Sequence, residues 1–434
     1  MALISVITPT NHSKWLKLAY LSMKRQTLTD WEWIVLLNGK ILQKTNAAEC
    51  KEMVENDPRI KLIPFDGKTN EDGTINVGAL KKRACSYTTA PYAVEFDHDD
   101  ELSADCLQEV YDAFEKSKAA FVFSDAARNH QDGRPEIYGT GYGWEYSDRE
   151  FNTGSGIEIH KVAKHPLCVP QNITRIWYAP DHVRAWRMDA YNLIGGHNEN
   201  LKVCDDLDLI CRLYQMSGGA FYHIEKVLYK YLIHGDNTWL KNQALIENLM
   251  WGIHDQFIQD FALMFWRGRG LRCLDLGGGI NPPAGWEGVD KFNGAITADL
   301  EQDWPFETNS VGALRAHDLV EHISPSRVVH FMNEAYRVLH HGGLFLIEVP
   351  STDGRGAFQD PSHVSFWNSN SFWYYTKAQT QHYIKHLGAV CRFQVVRMVN
   401  YFPSQWHKDH NIMYVKAHLA AIKEGERLHG TYEV

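Results

Sequence analysis

Apolar and polar positions along the chain fall into two successive alternations of strand and helix. In the first, Leu3–Ile7 is a short continuous apolar run of the buried-strand kind, stopped by Thr8-Pro9-Thr10. Trp15, Leu18, Ala19 and Ser22 recur at helical spacing, and Trp31–Leu37 returns to a strand ended by the turn signal Asn38-Gly39. Arg59–Ile63 predicts a further strand, Gly78–Ser86 a helix bearing Lys81, Lys82 and Arg83, and Tyr92–Phe96 a strand. Ser103 is placed to cap a helix whose Leu107, Val110, Tyr111 and Phe114 share one face, ahead of a strand at Ala119–Ser124. Such alternation argues for a largely parallel sheet covered on both faces.

The second alternation follows an amphipathic stretch, Gln243–Trp266, with Leu245, Leu249, Ile253, Phe257 and Phe261 on one face. No Pro- or Ser-rich linker interrupts it, which predicts halves joined by packed helix and not by a floppy tether. Leu271–Leu276 then runs into Gly277-Gly278-Gly279, Trp286–Asp290 puts an acid at a strand tip, and Ala295–Asp299 follows. Ser324-Pro325 signals a helix start, Val328, Phe331, Ala335, Val338 and Leu339 form its apolar face, and Gly342 is its expected stop.

Composition supports two cores. A chain of 434 residues exceeds the usual size of one, and 44% hydrophobic residues with 12% aromatics supply material for both. The formal charge of -9 counts against a function built on gripping the nucleic-acid backbone. Eight cysteines without a C-x-x-C pair give neither a zinc signature nor a compact disulfide framework, so they read as small core residues of a reducing compartment. With no basic leader at Met1–Thr8 and no apolar run of membrane-span length, the expected location is cytoplasmic.

Candidate chemistry begins where Tyr92–Phe96 ends in Asp97-His98-Asp99-Asp100-Glu101. Carboxylates this dense repel unless solvent or a hard cation neutralises them. Ile4–Thr10, Asn76-Val77-Gly78, Phe96–Asp100, Ile194–Glu199, Asp205-Asp206-Leu207-Asp208-Leu209-Ile210-Cys211-Arg212-Leu213 and His234–Thr238 follow one another in an order that resembles family 2 glycosyltransferases of the GT-A fold. The resemblance covers roughly residues 1–245. It implies a divalent Mn²⁺ or Mg²⁺ held by the Asp97/Asp99 pair, with Asp99 the direct ligand and Asp97 a ribose or water-mediated contact. His234 would be an additional metal or diphosphate ligand, or simply a histidine at a strand end. Asp206 would be the general base, with Asp205 and Asp208 positioning it, against the alternative of a charged helix N-terminus. Thr8, Pro9 and Thr10 would shape the nucleotide loop. Asn38 stands where many relatives carry an acidic pair, and would meet the base edge with both donor and acceptor. Lys82, with Lys81 and Arg83, would contact phosphate or form a solvated basic face.

In the second half Cys273–Gly279, Gly288-Val289-Asp290, Asp299-Leu300, Ala316–Ile323 and Glu334–Ile347 resemble class I S-adenosylmethionine-dependent methyltransferases over roughly residues 260–434. That resemblance implies Asp275, Gly277 and Gly279 at the methionine end of the cofactor, Asp290 on the ribose, and Asp299 and Leu300 beside adenine. It also implies a closing antiparallel pair at Cys391–Met398 and Ile412–His418. A dinucleotide dehydrogenase competes, but Gly277–Pro282 lacks the G-x-G-x-x-G spacing and a helix directly after it. Asp360–Trp367 and the aromatic run Phe372–Tyr375 make His363 a candidate base oriented by Asp360, or a packed lid; Glu321 and His322 read as structural.

The expectation is therefore an α/β protein of two domains: a GT-A glycosyltransferase over residues 1–245, a helical junction over 246–262, and a Rossmann-like methyltransferase over 263–434. The activities expected are metal-dependent, inverting transfer from a nucleotide-sugar donor to a glycan or glycolipid acceptor, and methylation of a sugar hydroxyl in the same polysaccharide pathway. A lipid-linked acceptor would bring peripheral membrane association. The competing readings are modification of nucleic-acid bases, and a scaffold with one inactive half.

Overall fold

The computed structural model describes residues 2–39, 51–52, 57–71, 73–138 and 144–425. The chain divides into two compact units, the first holding most residues up to Phe257 and the second running from Ile258, with Val169–Gln171 added. The division falls inside one helix, Gln243–Arg267. Its buried stripe is Ile246, Met250, Ile253, Phe257 and Phe261, while Leu245 is exposed, so the apolar face lies slightly off the expected one.

The first unit is built on an eight-stranded sheet. Its strands are β1 (Ile4–Thr10), β2 (Trp31–Leu37), β3 (Ile60–Pro64), β4 (Tyr92–Glu95), β5 (Glu101–Leu102), β6 (Phe121–His130), β9 (Arg184–Arg187) and β10 (Phe221–Ile233); β7 (Tyr146–Asn152) and β8 (Ile157–Ala163) form a separate hairpin. The order is β3-β2-β1-β4-β9-β6-β10-β5. β1 runs parallel to β2 and β4, and β9 is antiparallel to both β4 and β6. Consequently the C-terminal ends of β1 and β4 and the start of β9 share one edge, where open α/β sheets bind ligands.

Helix Cys106–Ser117 packs Leu107, Val110 and Phe114 on that sheet, with the Phe114 ring stacked on Tyr92 at 4.4 Å between centroids. Each such side chain contributes roughly 1.5–3 kcal/mol by leaving water. Ser103 does not cap this helix. Its hydroxyl donates to Asp105 at 2.9 Å, and Asp105 occupies the cap position without a side-chain bond to the helix N–H groups.

The second unit has seven strands in the order β13-β12-β11-β14-β15-β17-β16. They are β11 (Arg272–Leu276), β12 (Glu287–Asp290), β13 (Ile296–Thr297), β14 (Val311–His317), β15 (Leu339–Pro350), β16 (Phe393–Tyr401) and β17 (Tyr414–Ala421). β11–β15 pair in parallel, and β17 is antiparallel to both β15 and β16, the closing pair expected. The expected strand at Ala295–Asp299 shrinks to two residues. Helix Val328–Val338 begins after Ser324, whose carbonyl accepts the N–H groups of Arg327 and Val328. It ends before Leu339, which opens β15. Gly342 thus lies inside a strand, at φ 71°, where the pairing with β14 shifts register. Among the described residues no helix is long and apolar enough to cross a membrane.

Candidate functional site

The acidic turn after β4 is built around a buried carboxyl. Asp100 is fully buried and accepts the Tyr229 hydroxyl at 2.8 Å and the Leu232 N–H at 2.7 Å, both from β10. Burial, with Asp99 and Asp97 nearby, pushes its pKa well above the usual carboxylate range. Asp100 therefore shapes the turn and leaves Asp97 partly exposed, with Asp99 largely buried beside it.

Asp99 meets His234, from the end of β10, at 2.7 Å. Burial opposes the Asp99 charge, but the His234 hydrogen bond together with the neighbouring His98 and His234 charges outweighs it and holds the carboxyl below its ordinary value. His234 Nδ1 accepts the Asp236 N–H at 3.1 Å, which leaves the proton on Nε2, pointing at Asp99. As placed, His234 turns Nε2 to Asp99 and orients that carboxylate. Its ring stacks on Trp15 at 5.2 Å. Asp97 keeps about a third of its side chain exposed, and its pKa is raised by burial and then by the like charges of Glu95 and Asp99, with His182 opposing. A cation would relieve that repulsion, so the donor set fits a hard divalent ion.

Behind these carboxylates lies a buried charge network. Lys81 is 6% exposed and bridges Glu95 at 2.7 Å and Asp205 at 3.2 Å. Burial works against the Glu95 charge, yet Lys81 and His182 hold it well below the usual range. Asp205 is pushed up to about 7 by burial, with Lys81 opposing. Asp206 opens helix Asp205–Met216 and takes the Arg184 guanidinium at 2.5 Å. Burial raises its pKa and Arg184 lowers it, with the net result below the ordinary value. Arg184 reaches there because its backbone pairs with Glu95 across β9 and β4.

The structure thus brings Asp97, Asp99, Asp206 and His234 to one edge. Thr8 and Thr10 are buried beside them: the Thr8 hydroxyl donates to the Phe96 carbonyl at 2.7 Å, and Asn38 donates to the Thr10 carbonyl at 3.0 Å. Pro9 lies between the two in β1. Lys82 stands on the outer face, paired with Glu199 at 3.1 Å, and Arg83 pairs with Asp66 at 2.9 Å. Lys81, expected near phosphate, is instead consumed by Glu95 and Asp205. Sequence reasoning missed Glu95, His182 and Arg184. The signal available was the charge inside the apolar run Tyr92–Phe96, at Glu95, since a buried charge demands a partner.

In the second unit Gly277 and Gly279 take positive φ, 72° and 53°, at the end of β11. A Cβ on Gly279 would meet nothing within 4 Å, whereas one on Gly277 would press Leu319 at 3.0 Å. Asp275 is buried, its Oδ1 bound by Arg315 at 2.7 Å and its Oδ2 tucked where a Gly278 Cβ would lie 2.4 Å away. Asp275 therefore shapes the glycine turn from beneath. Asp290 ends the neighbouring β12 and uses Oδ1 to accept the N–H groups of Phe292 and Asn293 at 2.9 and 3.2 Å. Asp299 pairs with Lys291 at 3.0 Å, and Leu300 is buried. A glycine turn opening onto free space beside an acid-tipped strand suits a nucleoside cofactor.

His363 is not oriented by Asp360. Its Nδ1 faces the Ala357 carbonyl at 3.1 Å, while Asp360 stays 4.0 Å from Nε2 and closes its own turn on Ser362 at 2.8 and 2.6 Å. In the aromatic run Phe372 and Tyr375 are core, and Trp373 and Tyr374 are exposed.

Residues 5–164 match the family model for glycosyl transferase family 2, and residues 287–347 match a methyltransferase domain. The chain accordingly joins a family 2 glycosyltransferase domain to a methyltransferase domain, each on an α/β sheet. Among characterised proteins it is similar to the chondroitin synthase of Escherichia coli, 26% identical over 240 residues, which is 55% of this chain and 30% of that one. The hyaluronan synthase of Pasteurella multocida is 25% identical over 246 residues, 56% of this chain and 22% of that one. This chain spans under a third of the length of these relatives. Among solved structures, S. aureus TarS 1-349 in complex with UDP-GlcNAc is 14% identical, with TM-score 0.43 over 62% of this chain and 73% of that one. The mannosyltransferase PcManGT of Pyrobaculum calidifontis with GDP-Man and Mn²⁺ is 11% identical, with TM-score 0.37 over 55% and 59%.

Proposed function

We propose that the first unit transfers a sugar from a nucleotide-sugar donor to a glycan or glycolipid hydroxyl, as a polysaccharide synthase does. We propose further that the second unit methylates a sugar of the same product. The observation that supports the first half is the shared edge that holds the partly exposed Asp97 and the His234-bound Asp99, while Asp206 is held ionised by Arg184. A divalent ion held by Asp97 and Asp99 would neutralise the departing diphosphate. Thr8, Pro9, Thr10 and Asn38 shape the loop that receives the nucleotide. Asp206, kept as a carboxylate at neutral pH, accepts the proton of the attacking hydroxyl, which leads to inversion at the sugar carbon.

In the second unit S-adenosylmethionine would supply the methyl group. The glycine turn carrying Gly277 and Gly279 admits its methionine end, Asp290 receives ribose hydroxyls, and Asp299 and Leu300 border the adenine.

Two variants of the full chain test the division of labour, using sugar nucleotides with Mn²⁺ in one assay and labelled S-adenosylmethionine in the other. Asp99→Ala abolishes sugar transfer and leaves methylation intact; Asp290→Ala does the reverse. Full activity of both variants in both assays refutes the assignment.

A further inference from the structure

The turn after β14 carries three side chains that the functional reading leaves unused. Residues Val320–His322 form a single 3₁₀ turn, and the loop 360–365 is clamped over it. The N–H groups of Val364 and Ser365 both donate to the Glu321 carbonyl at 2.9 Å, and the Ser365 hydroxyl donates to the Val320 carbonyl at 2.8 Å. This clamp brings His363 over Glu321, with Nε2 3.9 Å from Oε1, and packs its ring edge-on against His322 at 5.1 Å. One ligand atom from each of Glu321, His322 and His363 lies within 4.8 Å of the others.

Hydrogen-bond accounting shows what the trio lacks. Glu321 is 2% exposed, and neither carboxylate oxygen is hydrogen-bonded by another residue. His363 Nδ1 faces the Ala357 carbonyl and His322 Nδ1 faces the Ser362 carbonyl, each at 3.1 Å. A carbonyl only accepts, so both Nδ1 atoms carry protons and both Nε2 atoms present lone pairs. Lone pairs and carboxylate oxygens therefore face one another with no donor from the surrounding protein, an arrangement that costs free energy unless a proton or a metal ion sits between. Imidazoles held through Nδ1–H by backbone carbonyls are also how proteins fix histidines for coordination through Nε2.

We propose that Glu321, His322 and His363 form a binding site for a divalent transition-metal ion. Two imidazole nitrogens and one carboxylate suit Zn²⁺, Fe²⁺ or Mn²⁺ better than Mg²⁺ or Ca²⁺, which favour all-oxygen sets. Exposed His322 forms the mouth, so the ion keeps open positions toward solvent. Leu319, one residue before the turn, lies against Gly277, which puts the site at the same end of the sheet as the glycine turn. An oxygen of the methyl acceptor is the ligand for the open position. That last role rests on reading the unit as a methyltransferase; the metal site itself does not.

The test uses the full chain carrying Asp97→Asn and Asp99→Asn, so that the first unit holds no ion. Zinc content after exhaustive dialysis is measured, and Co²⁺ is titrated with its visible absorption as the reporter of nitrogen ligands. About one equivalent per chain is expected, with affinity falling at least about tenfold in Glu321→Gln and in His322→Gln. His322 is exposed, so the second variant probes the site without threatening the core. Failure to retain zinc or bind Co²⁺ overturns the proposal, as does binding unchanged in both variants, which would leave Glu321 a buried neutral acid. Metal binding with no methyl transfer by the parent chain refutes the methyltransferase reading and leaves the site standing. If methylation occurs but His322→Gln leaves KM for the acceptor unchanged, the acceptor-holding role falls.

Discussion

Replacing Lys81 by Met deletes one ammonium and keeps most of the side-chain volume. The consequence falls on Glu95, 2% exposed, and Asp205, 3% exposed, which lose partners at 2.7 and 3.2 Å. Removing one member of a buried ion pair costs about 3–5 kcal/mol, because the remaining charge has neither water nor counter-ion. At about 1.4 kcal/mol per factor of ten, that is a roughly hundred- to four-thousand-fold rise in exchange of amides released by opening of this region. The pH dependence has a definite sign. In the parent, Glu95 sits well below its ordinary value, so it adds stability above pH about 4.5 that is lost in acid. Asp205, raised to about 7, does the opposite, favouring the fold in acid and costing stability as pH rises through 7. Without Lys81 both carboxyls behave like Asp205, so the deficit is larger at pH 7.5 than at pH 5.5. Hydrogen exchange read by mass spectrometry on peptides of β1 and β4 isolates this region from the second unit. Acceleration below tenfold at pH 7.5, or a deficit that grows in acid, refutes the network argument.

Two further outcomes follow from the same structure. Arg184→Met removes the charge that depresses Asp206, so the acidic limb of the sugar-transfer pH profile moves to higher pH; an unmoved limb excludes Asp206 as the titrating base. Gly278→Ala drives a Cβ to 2.4 Å from the Asp275 carboxylate, and S-adenosylmethionine binding by calorimetry should weaken by tenfold or more while sugar transfer persists; unchanged affinity would mean the turn does not shape that site.

Legibility in the sequence tracked how local the determining physics was. β1, β2 and β4 announce themselves as apolar runs because both faces of a parallel sheet are buried. β9 and the β7–β8 hairpin do not: Arg184-Ala185-Trp186-Arg187 begins and ends in charge, and Ile157–Ala163 alternates Ile with Glu, His and Lys. Helix Val328–Val338 was misjudged at its end because Leu339 serves the same core from a strand. The acids Asp97, Asp99 and Asp206 were readable as carboxylates at a strand end and a helix start. Their partners were not, since Lys81 with Asp205 and Arg184 with Asp206 meet only once the sheet has formed. The expected pairing of Asp360 with His363 gives way to turn closure of Asp360 on Ser362, a local competition that the polar loop's composition does not decide.

The buried Asp100 has a practical corollary for protein engineering. Because one carboxyl is bound by Tyr229 and Leu232, the acidic turn and the end of β10 form a single exchangeable block. A relative that receives Asp97–Asp100 but keeps its own residues at 229–237, without a tyrosine at 229, would leave an acid in the interior short of one of its two donors. It would also separate Asp99 from the histidine that aims it. Recombination breakpoints that keep both segments from one parent are the ones that preserve the acidic turn.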